Sequence, residues 1–159
     1  TNNAVGVVPR LIDLGIQSYL VPPTLSIAIA QRLVRKLCPY CKKKVEAKGE
    51  VKKLIMKEID KLPEKLKKKY KKDKKPLYVY QPQGCKKCRG EGYTGRVAVV
   101  EVLKMTDQLS EIILTSPSEN EIAKEARHQG MITMRQDGII KVLEGVTSME
   151  EVLRVTAEV

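Results

Sequence analysis

The chain has 159 residues and a net charge of +11, from 30 Lys and Arg against 19 Asp and Glu, and it contains four Cys, one His, no Trp and no Phe. A hydrophobic fraction of 42% excludes a wholly disordered chain, and no apolar run approaches the ~20 residues of a membrane span. With six Tyr as the only aromatics, a stacking platform for single-stranded nucleic acid is also a poor fit.

At the N-terminal end, Asn3 suits the cap of a helix running to Leu14, with Gly15 as its stop and Pro9 expected to bend it. Pro22-Pro23-Thr24 is expected to open a second helix carrying Leu25, Ala28, Ile29, Leu33 and Leu37 on one face, with Arg32, Arg35 and Lys36 off that face. Cys38-Pro39-Tyr40-Cys41 follows. Residues 42–75 then hold sixteen Lys and six acids, a net +10, which leaves only +1 on the other 125 residues. Within that segment Val51, Leu54, Ile55, Ile59 and Leu62 recur at three- and four-residue spacing, the signature of an amphipathic helix with Lys outward. Pro63 should break it, Leu66 and Tyr70 continue the stripe, and Lys65 to Lys75 reads as a solvated tip or hinge. The charge therefore belongs to one helical surface insertion. As a binding face it suits anionic lipid better than nucleic acid.

After Cys85-Lys86-Lys87-Cys88, the turn Gly92-Tyr93-Thr94-Gly95-Arg96 leads into a buried strand over Val97 to Leu103. From Asp107 the pattern is helical. Leu109, Ile112 and Ile113 mark one helix. Ser118-Glu119-Asn120-Glu121 caps a second that stops at Gly130, Met134 to Glu144 forms a third, and Thr147-Ser148-Met149-Glu150 opens a fourth. His128, close to Gly130, reads as an ordinary helix-end residue.

The two C-x-x-C pairs carry the chemistry. Two residues between thiolates let a tight turn present both sulfurs to one metal, so Cys38, Cys41, Cys85 and Cys88 form a complete tetrahedral Zn²⁺ set. Such a site has no open position, which points to a structural role. Lys36, Lys42, Lys86, Lys87 and Arg89 help ionise the thiols, and Gly90 gives the second turn a permissive backbone. The 43 residues from Lys42 to Gly84 exceed the usual ribbon spacing of ~15–20, as a zinc module with an insertion would. Disulfides, which need an oxidising compartment, compete with this reading. So does redox catalysis, because Cys-Pro-Tyr-Cys is also a glutaredoxin string, although that site follows a strand and opens a helix. Cys85 to Gly92 further matches one copy of the C-x-x-C-x-G-x-G repeat of the DnaJ-type zinc domain, which uses several. No phosphate loop, nucleophile elbow or H-E-x-x-H helix occurs, and a lone His offers few acid–base arrangements.

Several strings resemble the C-terminal part of the secretion ATPase family, the motors of type II secretion and type IV pilus assembly. They are Thr1-Asn2-Asn3-Ala4 with Arg10-Leu11-Ile12-Asp13-Leu14-Gly15, Ala30 to Cys38, Gly84 to Arg96 with its cysteine–glycine pattern, and Met131 to Thr156. The resemblance implies an α+β, mainly helical fold. Residues 1–37 would end a RecA-like P-loop ATPase core, 38–93 would form the zinc module with its basic insertion 42–75, and 94–159 a strand and a helical subdomain. It also implies a parent that is a cytoplasmic homo-hexamer at the inner membrane, hydrolyses ATP with Mg²⁺ and acts on a membrane platform protein. The phosphate loop, acidic Mg²⁺ motif and histidine box would precede Thr1, so this segment alone should not hydrolyse ATP. Arg10 and Arg32 would lie in the core as candidates to face nucleotide or a neighbouring subunit, a surface ion pair being the alternative for each. A reading of a different class is a free-standing zinc-ribbon module that binds nucleic acid through the Lys segment.

Overall fold

The computed structural model describes residues 1–71, 76–115 and 117–157, so the end of the expected Lys-rich tip, 72–75, lies outside the described residues. Among them the chain is mixed α+β, with eight α-helices and four strands. It divides into two compact units, Thr1–Gln31 with Val100–Thr133 and Arg32–Val99 with Met134–Val159.

In the first unit, α1 (Val7–Asp13) starts later than Asn3 suggests, because the Asn3 side chain accepts from the Gly6 N–H at 2.7 Å and so closes the turn ahead of the helix. Pro9 does not bend α1. It occupies the first turn, where a backbone N–H has no intrahelical partner to lose. Pro22 and Pro23 open a single turn, α2 (Val21–Thr24).

The expected second helix is instead a strand, β1 (Ile27–Leu37), paired with β4 (Tyr93–Lys104). The apolar spacing from Leu25 to Leu37 satisfies a helical repeat, but Ile27, Ile29 and Val34 are β-branched, and β4 supplies a second β-branched run to pair with. Local periodicity contains no information about that distant partner. The N–H of Met105 donates to Ser26 O at one end of the ladder and the N–H of Cys38 to Gly92 O at the other, so the strands run in opposite directions. β4 also extends the expected strand toward Tyr93.

Ala28 and Leu103 from these strands bury against Val8, Val21, Leu109, Ile113 and Ile122, the last three from α5 (Asp107–Thr115) and α6 (Glu119–His128). Both helices fall where the sequence put them. Ser118 caps α6 by accepting the Glu121 N–H, and His128 lies exposed at its end, 3.7 Å from Glu125.

The second unit is organised by a short ladder that periodicity did not reveal. β2 (Lys43–Glu46) pairs antiparallel with β3 (Tyr78–Gln81), Lys43 opposite Gln81 and Glu46 opposite Tyr78. The start of the basic segment is therefore strand rather than helix. Because the ladder draws its two ends together, the long connection between cysteine pairs closes near its base. Beyond it come the expected amphipathic helix, α3 (Gly49–Asp60), and α4 (Glu64–Tyr70) after Pro63. Ile55 and Ile59 are fully buried and Leu62 nearly so, while Lys52, Lys53 and Lys57 face solvent. α3 packs on α7 (Met134–Leu143), which also meets β3 and α8 (Met149–Thr156). Tyr70 at the end of α4 donates to Glu144 at 2.6 Å. The insertion is thus anchored through an apolar face and a polar tip.

Candidate metal centre

Each cysteine pair sits in a backbone turn. The N–H groups of Cys41 and Lys42 return to Cys38 O, and those of Cys88 and Gly90 return to Cys85 O. The two turns flank the β2–β3 ladder in sequence, Lys43 being two residues after Cys41 and Gln81 four before Cys85. Folding the insertion therefore brings the pairs together.

The four Sγ atoms lie within 4.8 Å of one another, with Cys38 and Cys88 buried and Cys41 and Cys85 half-buried. Individual separations are 3.9 Å for Cys38–Cys85, 3.8 Å for Cys41–Cys88 and 3.7 Å for Cys85–Cys88. Four sulfurs at ~2.3 Å from a tetrahedral centre would stand ~3.8 Å apart. The donor set and its spacing therefore fit a closed four-thiolate metal site. They do not fit disulfides, whose sulfurs are ~2.05 Å apart, and all four cysteines are free. The glutaredoxin arrangement fails as well. Cys38 does follow a strand, contrary to the helix expected there, but Cys41 leads into β2 instead of opening a helix.

Backbone donors prepare the site for anionic sulfur. Burial raises the Cys88 thiol, yet the N–H groups of Cys85 and Gly92, each 3.1 Å from its Sγ, outweigh that and bring it down to about 6. Burial and hydrogen bonds with the Cys38 and Cys88 sulfurs push Cys41 up to about 11. The crowded set thus pushes neighbouring thiols in opposite directions. A divalent metal bound there would hold all four sulfurs as thiolates. Lys87 lies over the Tyr40 ring, 3.6 Å from its centroid, and so ties the exposed tips of the two turns together.

Arg10 is exposed on α1 and Arg32 exposed on β1, and neither forms an ion pair among the described residues. A polar set that sequence reasoning missed lies in the second unit. Thr147, Ser148 and Glu151 are all buried. Glu151 accepts from the backbone N–H and the guanidinium of Arg35, both at 2.8 Å, and from Arg154 at 2.9 Å. The capping pattern at Ser148 was legible in the sequence, and Ser148 does accept the Glu151 N–H. That the Glu151 carboxylate turns inward to Arg35 depends on a partner 116 residues away.

Fold and site together define a mixed α+β chain built around a four-cysteine centre suited to a metal ion. A family model described as "Type II/IV secretion system protein" matches residues 1–154, and the chain belongs to that family. It is 42% identical over 158 residues to the type II secretion system ATPase E of Vibrio cholerae, covering 99% of this chain and 28% of that protein. It is 37% identical over 158 residues to the type IV pilus assembly ATPase PilB of Myxococcus xanthus (99% and 26% covered) and 36% identical over 159 residues to the PilB of Pseudomonas aeruginosa (99% and 26%). The chain spans about a quarter of the length of these curated relatives.

Proposed function

We propose that this chain is the zinc-binding C-terminal portion of a motor ATPase that powers type II protein secretion or type IV pilus assembly. The observation that carries the reading is a closed four-sulfur site in a chain that matches secretion and pilus ATPases from end to end. In this reading Cys38, Cys41, Cys85 and Cys88 hold a structural Zn²⁺, which supplies folding free energy and no chemistry of its own. Residues 1–37 end the ATPase core, 38–93 form the zinc module, and 94–159 the strand and helical subdomain. Binding and hydrolysis of ATP with Mg²⁺ belong to other parts of a cytoplasmic hexamer peripheral to the inner membrane, with exposed Arg10 and Arg32 facing nucleotide or a neighbouring subunit. The module stiffens the lobe that transmits movement to the membrane platform protein, and the basic segment 42–75 is the surface for contact with anionic lipid. No helix among the described residues is long and apolar enough to cross a membrane.

Metal analysis of the purified chain tests the core of this reading. One Zn²⁺ per chain is expected, together with its loss and the collapse of the module in Cys85→Ser. A chain with no bound metal and an unchanged circular dichroism spectrum in the variant would sink it.

A further inference from the structure

The turn joining α7 to α8 is held residue by residue by positions within a few residues of the cysteines. The Gly145 carbonyl accepts from Lys42 Nζ at 2.7 Å, and Lys42 follows Cys41. The Val146 carbonyl accepts at 2.9 Å from the N–H of Leu37, which precedes Cys38. Thr147 Oγ1 donates to Arg35 O at 2.7 Å. Ser148 Oγ shares a buried 2.8 Å hydrogen bond with the hydroxyl of Tyr93, next to Gly92, whose own N–H bonds to Cys88 Sγ. Four consecutive residues are thus bonded to residues near three of the four cysteines, two through the backbone of Leu37 and Arg35 and two through the side chains of Lys42 and Tyr93.

The fit at Gly145 is close. Its φ is +71°, and a Cβ there would stand 2.8 Å from the Tyr80 ring and 3.1 Å from Lys42 Nζ. Lys42 also lies over that ring, 4.9 Å from its centroid. The Lys42 ammonium therefore has a fixed place between the first cysteine turn, β3 and the α7–α8 turn.

From this we infer that the α7–α8 turn is a latch on the metal site, with Lys42 as the positioning residue that couples the two. Metal occupancy and turn docking then share a coupling free energy, and linkage makes it reciprocal: whatever loosens the turn weakens the metal, and loss of the metal frees the turn. The inference rests on the zinc reading above. It adds that α8 and the Arg35–Glu151 pair respond to the state of a site to which they contribute no ligand.

The test uses the whole chain, with Co²⁺ as a spectroscopic probe and a chromogenic chelator as competitor. Lys42→Met is expected to weaken metal affinity about tenfold, the usual scale for groups that support ligands without binding metal. Lys43→Met removes the same charge beside Cys41 from an exposed side chain, and it should change affinity less than about twofold. In metal-loaded Lys42→Met, hydrogen exchange at the Leu37 amide should quicken while the β2–β3 ladder amides keep their wild-type rates. Equal affinities for the two variants, or unaltered Leu37 exchange in Lys42→Met, would overturn the latch and leave the zinc site standing. Failure of the wild-type chain to bind Co²⁺ or Zn²⁺ overturns the zinc reading and the latch with it.

Discussion

Glu151 is a carboxylate with no exposed surface, and a lone charge in that position would be costly. Burial works to raise its pKa, but hydrogen bonds from Arg154 and then Arg35 prevail and hold it at about 2, against an ordinary 4.5. Because the folded value is the lower one, its stabilisation is complete above about pH 4.5 and is lost as pH falls toward 2, about 3 kcal/mol in all. The urea midpoint of wild type should therefore exceed that of Glu151→Gln at pH 6, and the gap should close by pH 2. A gap independent of pH would show that the ion pair is not its source. Gly138 offers a second check, on steric grounds. A Cβ there would lie 2.6 Å from Val152 Cγ1, so Gly138→Ala should cost roughly 1–3 kcal/mol by overpacking α7 against α8. Adding Val152→Ala should recover part of that, and additive losses in the double-mutant cycle would contradict the contact.

Among the elements, the helices were legible and the long-range strands were not. α5 announces itself through the spacing of Leu109, Ile112 and Ile113, and α6, α7 and α8 through capping residues or stop glycines, signals that act within a turn or two of the chain. Leu25, Ala28, Ile29, Leu33 and Leu37 fit a helical stripe, and only pairing with β4 makes that segment the strand β1. β2 and β3 are four residues each and rich in Lys and Tyr, so they carry little local signal. The insertion shows the same division. Its amphipathic stripe was evident, whereas its docking on α7 required the fold. That docking makes Ile59 a core residue of the second unit, and Ile59→Ala should destabilise it by roughly 2–5 kcal/mol, measured by denaturant unfolding. A loss below about 0.5 kcal/mol would mean the insertion behaves as a solvated appendage.

At the scale of the molecule, the candidate site was the most readable feature of all, since four cysteines in two C-x-x-C turns need only one folding event to meet. What the sequence concealed is the setting around them: the ladder that closes the insertion and the turn docked beside the first knuckle. Metal ligation in small modules contributes of order 10 kcal/mol, comparable to the whole stability of an ordinary domain. Chelation should therefore cost the second unit its ordered structure, read as loss of ellipticity that Zn²⁺ restores. Retention of the full spectrum after metal removal would assign the unit's stability to its apolar packing alone.

The tyrosines give this chain an optical consequence. With no Trp in the sequence, its intrinsic emission is that of Tyr alone, and only Tyr19 belongs to the first unit. The other five each lie beneath a cation: Tyr40 under Lys87, Tyr70 under Lys69, Tyr78 under Lys44, Tyr80 under Lys42 and Tyr93 under Arg35. An unlabelled sample excited at the tyrosine band thus watches the metal-bearing unit almost exclusively. The chain carries a built-in fluorophore set for following metal uptake and release, and Tyr19→Phe would make that signal wholly local.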